Sequence, residues 1–117
     1  MLVIYGNEDL WTSFPEKEWK EVVAAHDTFQ RELTETGELV RVEGLTDAEN
    51  AKVVRVADGV PVVTDGPYLE AKEYMGSFFV VDCESIERAI ELAARLPMAR
   101  FNGVEVWPLM DHGGTEM

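Results

Sequence analysis

Apolar and polar positions divide this chain into short strand-like runs around one long helical stripe. Residues "MLVIYG" form a brief apolar run closed by Gly6, the pattern of a strand buried on both faces. "NEDLWTSF" reads as a loop. Ser13 and Glu16 then stand in S-x-x-E spacing with Pro15 in the first turn, a helix-start pattern. From there Trp19, Val22, Val23, His26, Phe29 and Leu33 recur at steps of three and four, with Glu18, Glu21, Gln30 and Glu35 opposite. Gly37 suits the C-terminal cap, so the spacing predicts a long amphipathic helix. "ELVRVEGL" (38–45) alternates as a strand, and "AKVVRVADGVPVVTD" reads as two β segments about Asp58-Gly59. "SFFVVDC" (77–83) is apolar on both faces. Ser85 is placed to cap a second helix, with Ile86, Ala89, Ile90 and Ala93 as its expected inner stripe and Leu96-Pro97 as its end. "GVEVWPLM" (103–110) is the last expected strand, and "DHGGTEM" reads as a frayed tail.

The order is strand, helix, strand, hairpin, strand, helix, strand. Without the hairpin it is βαββαβ, which predicts a ferredoxin-like α+β fold with an inserted β-hairpin. Two helices cover only one face of such a sheet, yet "LVIY" and "FFVV" present apolar side chains to both. Apolar sheet of that extent is not left in water. A second copy packed sheet against sheet, a homodimer in the form of a dimeric α+β barrel, is the simplest cover; the tail or the hairpin is the alternative. One domain is expected over 1–110, followed by a flexible tail at 111–117.

Composition narrows the partners. The 117 residues are 46% hydrophobic, enough for one core, and no run is long and uncharged enough for a membrane span. With 23 acids against 10 bases the net charge is −13, a field that repels nucleic acid and anionic membranes. The single cysteine, Cys83, forms no internal disulfide framework and reads as a small half-buried residue. No leader pattern opens the chain, and the expectation is a soluble cytoplasmic protein.

Candidate chemistry centres on "PVVTDGPYLEAKEYMG" (61–76), which places Asp65, Gly66, Pro67, Tyr68, Glu70 and Lys72 between apolar segments. A turn needs Gly66 and accepts Pro67; Asp65, Tyr68 and Lys72 together suggest a pocket rim. Asp65 has two readings, a turn residue bonded to its own backbone or a carboxylate that orients a histidine and stabilises its cation. His26, on the apolar stripe, reads either as a core histidine or as a proton carrier. Asp27 follows it at about 100° around the helix and is expected to face water. Tyr68 could hold a substrate oxygen or pack at the barrel mouth, and Lys72 could steady an anion or pair at the surface. Trp11, with Trp19 and Trp107, could line a pocket for a flat ligand or serve core and interface. His26 and His112 have no metal-ligand spacing, and no nucleophile elbow, phosphate loop or dinucleotide fingerprint is present. Neither a metal nor a cofactor is therefore expected.

Four segments taken together carry a family likeness: "LVIYGNEDLW", "AAHDTFQRELTETGELVRVEGL", "VVRVADGVPVVTDGPYLEAKEYMGSFFVVDCESIERAIELAARLP" and "GVEVWPLM". The chain resembles the YCII-related family, and within it the DGPF branch, whose Asp-Gly-Pro-Phe motif here reads Asp65-Gly66-Pro67-Tyr68. The resemblance implies a ferredoxin-like fold that dimerises into a barrel. It also implies a cleft near the dimer interface with a histidine and an aspartate as active-site residues, roles that fall on His26 in "AAHDTF" and Asp65 in "TDGP". A dehydrochlorinase acting on a chlorinated hydroxyquinol belongs to the wider family, and some DGPF members look like companions of extracytoplasmic-function sigma factors. Two functions follow as expectations. One is a cofactor-free lyase or isomerase on a small cyclic oxygenated compound, with Tyr68, Lys72 and Trp11 as substrate contacts. The other is a non-catalytic ligand-binding or regulatory module.

Overall fold

The computed structural model describes residues 1–66 and 73–110. Along the chain run β1 (Leu2–Gly6), α1 (Glu8–Ser13), α2 (Glu16–Thr36), β2 (Leu39–Gly44), β3 (Lys52–Ala57), β4 (Val60–Asp65), β5 (Tyr74–Val81), α3 (Ile86–Ala94) and β6 (Val104–Val106). Short 3₁₀ turns occupy Ala48–Asn50 and Pro97–Arg100. The main sheet has strand order β2-β5-β1-β6, with β1 antiparallel to both β5 and β6 and β2 antiparallel to β5. Set aside the β3–β4 hairpin, and this is the ferredoxin-like α+β arrangement.

The core lies between that sheet and the helices. Leu2 and Ile4 of β1, Phe79 of β5, Val22, Phe29 and Leu33 of α2, and Leu92 and Ala93 of α3 are buried in one cluster with Leu96 and Met98. Leu2, Val3 and Ile4 are all buried, so β1 is apolar on both faces as its run of side chains requires. Local signals placed several boundaries. Gly37 adopts φ 80° and its N–H caps α2 on Leu33 and Thr34 carbonyls. Asp58 and Gly59 both have positive φ, 51° and 78°, which gives the tight β3–β4 turn. Ser85 Oγ accepts from Arg88 N at 3.1 Å to start α3.

Three local expectations change. "NEDLWTSF" contains helix α1 rather than a loop, because Asn7 takes the cap position and its Oδ1 accepts from Leu10 N at 2.8 Å. The Ser13/Glu16 spacing makes no capping box: Ser13 ends α1, its hydroxyl donates to Leu10 O at 2.6 Å, and the N-cap of α2 is Pro15. The buried face of α3 is Ala89, Leu92 and Ala93, while Ile90 is 54% exposed. Ala89 and Ala93 stay inward as expected, and the buried stripe shifts toward Leu92, which seats that larger side chain in the core.

The hairpin is a two-stranded sheet of its own, and every residue of β4 is exposed. The molecule is broad and flat, 50 × 44 × 18 Å, with a radius of gyration of 16.6 Å. A compact chain of this length would have about 13 Å. Among the described residues no helix is long and apolar enough to cross a membrane.

Candidate functional site

A cleft of about 470 Å³ opens between α1, α2, the loop after β2, and β5, and falls within the range of ligand pockets. Its seat is built by glycine. A Cβ on Gly6 would lie 2.3 Å from Trp11 Cζ2, and one on Gly76 would lie 3.0 Å from the same atom. Two bare positions on paired strands thus admit the Trp11 indole against the sheet. Because α1 exists, Trp11 stands on a helix fixed by the Asn7 cap, and its ring meets that of Trp19 edge to face at 6.3 Å. Tyr74, Gly76 and Ser77 of β5 form the floor beside them.

His26 forms part of the wall, one turn along α2 from Val22 and Val23. Its ring packs 5.8 Å from that of Phe79, and its Nε2 is buried without a hydrogen-bond partner. Burial holds its pKa below the ordinary histidine value, and the charge of Asp27 opposes that shift only in part. The imidazole is therefore neutral at physiological pH. An unsatisfied buried polar atom costs about 1–3 kcal/mol, an unusual feature in an otherwise apolar layer.

Two carboxylates share the cleft lining, Asp27 on α2 and Asp47 in the loop after β2. Asp27 is exposed, as its angle on the helix predicts, yet it lies at the cleft beside His26. Leu45 N donates to Gly76 O at 2.8 Å, which ties that loop to β5 and brings Asp47 to the rim. Asp47 begins a 3₁₀ turn without a side-chain capping bond. No lysine or arginine lines the cleft among the described residues.

The expected site residues are placed unevenly. His26 and Trp11 meet in this cleft. Asp65 ends β4 opposite Lys52, outside the cleft lining; its carboxylate is 86% exposed and accepts from Lys52 Nζ at 2.5 Å. That hydrogen bond and the lysine charge hold its pKa below the usual carboxylate range. Tyr68 and Lys72 lie outside the described residues, as do Pro67, Glu70, His112 and the expected tail at 111–117. Asp47 was missed from sequence because its loop is brought to the cleft by tertiary pairing with β5, including the Leu45–Gly76 bond. Among the described residues no three metal-ligating side chains gather.

Comparison with known proteins agrees with this architecture. An uncharacterised protein of Rhizobium meliloti is 30% identical over 110 residues, spanning 92% of this chain and 89% of its own length. The YCII-related domain matches residues 1–112. With nearly the whole chain covered, and with the fold that its sequence order predicts, this protein belongs to the YCII-related family.

Proposed function

We propose that the cleft beside His26 is the ligand site of this protein, and that its chemistry is cofactor-free proton transfer on a small cyclic oxygenated compound, a lyase or isomerase step. The carrying observation is an imidazole in the wall of a cleft with two tryptophans, its Nε2 without a hydrogen-bond partner and its charged form disfavoured by burial. A neutral imidazole is ready to accept a proton. In an isomerase step the proton leaves one ring position and returns at another. In a lyase step the imidazole takes a proton, the C–H electron pair becomes the new double bond, and the leaving group departs with the pair of the bond that breaks. Asp27 lies near enough to favour the imidazolium formed in between. Asp65 enters this reading as the carboxylate that orients His26 and stabilises its cation, released from Lys52 when it acts.

One observation favours binding without turnover. Nε2 itself is sealed from solvent, so a ligand reaches it only if the wall yields. Solvent-deuterium exchange into a panel of cyclic ketones and phenols separates the two. Catalysed exchange that falls by about 10²- to 10⁴-fold in a folded His26→Ala variant supports catalysis, and a comparable fall in Asp65→Asn upholds Asp65 as the orienting carboxylate. Exchange that is catalysed equally well by His26→Ala would sink the catalytic reading.

We also propose that a second copy of the chain covers the exposed hairpin. Val54, Val56 and Val63 lie on one hairpin face and are 62%, 70% and 58% exposed. A lone two-stranded hairpin is marginal in water, so such a surface needs a partner.

A further inference from the structure

The charge of the cleft and the chemistry proposed for it constrain each other. Asp27 and Asp47 line it, burial disfavours the charged form of His26, and no lysine or arginine accompanies them among the described residues. If His26 took a proton from an uncharged ligand, opposite charges would be created in a poorly solvated cleft, and the anion would form beside two carboxylates with only the new imidazolium to steady it among the described lining residues. Like charges at such range raise the barrier, and poor solvation amplifies the effect. A proton that moves from a cation to a neutral imidazole leaves the total charge unchanged. The positive charge only changes place, within reach of the same two carboxylates. Trp11 and Trp19 add the ring surface on which organic cations are held, and Tyr74 stands beside them.

We infer that the cleft selects a small organic cation with a flat ring, such as a protonated ring amine or heteroaromatic, over anionic ligands of the same size. This rests on the reading of the cleft as the ligand site and keeps its flat ring, but places a cationic group on that ring compound. Asp47 is the specificity-determining residue, since its exposed carboxylate makes no capping bond and is free to face a ligand.

Isothermal titration of the intact protein with protonated benzylamine, benzyl alcohol and benzoate tests it, with tryptophan emission followed in parallel. Benzylammonium is expected to bind about tenfold more tightly than benzoate at low salt, and the gap is expected to narrow as salt rises. Asp47→Asn should weaken benzylammonium several-fold and leave benzyl alcohol unchanged. Asp82→Asn, an exposed acid away from the cleft, should change neither and so controls for the overall negative charge. Benzoate binding as tightly as benzylammonium, or Asp47→Asn leaving the preference intact, overturns the inference while the ligand site stands. Absence of heat and of any emission change with all three probes overturns the ligand site, and the inference falls with it.

Discussion

His26 is where sequence and environment differ most in what they ask of one side chain. Its place on the apolar stripe made it ambiguous, and the fold gives it both properties, a packed ring beside Phe79 and a cleft at its side. The lowered pKa has a consequence for stability. Below the unfolded value of about 6.5 the unfolded chain takes up a proton that the folded chain refuses. Stability at this site is therefore full above that value and falls as pH drops towards the lower folded pKa. Urea denaturation at pH values between about 5.5 and 7.5 should show this loss, and His26→Leu should flatten it. An unchanged slope in the variant would show that the ring is not held neutral. Carboxylates whose pKa values are lowered by basic partners, Glu38 by Arg88 and Asp65 by Lys52, titrate in a more acidic window and do not confuse the comparison.

At the scale of elements, helix α1 matters beyond its six residues because it carries Trp11. Asn7→Ala removes the cap that starts it. The expected cost is about 1 kcal/mol, read as a lower urea midpoint, together with a shift in tryptophan emission as Trp11 leaves its seat between Gly6 and Gly76. A stability loss with unaltered emission would mean that packing, not the cap, places the indole. Elements whose signals are local were legible in the sequence: Gly37 at the end of α2, Asp58-Gly59 in the hairpin, Ser85 at the start of α3. Where two local signals competed, reading was harder. Asn7 and Ser13 both offer cap chemistry, and only the first caps. The face of α3 was misjudged because Ile86 and Ile90 satisfy helical spacing as well as Leu92 does, and the sheet beneath decides between them. Asp47 reaches the site through a tertiary bond, which no spacing rule contains.

The whole molecule is an ordinary ferredoxin-like body with an arm. The body is held by its core and by ion pairs across elements. Arg88 makes two hydrogen bonds to Glu38, at 2.9 and 3.0 Å, joining α3 to the start of β2, and Arg95 of the α3 end pairs with Glu32 of α2. The arm carries its own Lys52–Asp65 pair, whose side chains are largely exposed, and most of its valines face water. Sedimentation at micromolar concentration should therefore report a dimer. The double variant Val56→Asp/Val63→Asp should dissociate it, because apolar side chains on one hairpin face would become charges. Monomer at that concentration in the unaltered protein would contradict the account of the arm.

The central claim is that ring ligands enter beside His26, and amide and indole resonances read that directly. Two-dimensional NMR titration with small protonated ring amines should move the indole N–H of Trp11 and the amides of His26, Asp47 and Ser77 together, along one saturating curve. Shifts confined to the hairpin or the helix surfaces, with the Trp11 and His26 signals unmoved at saturation, would contradict it.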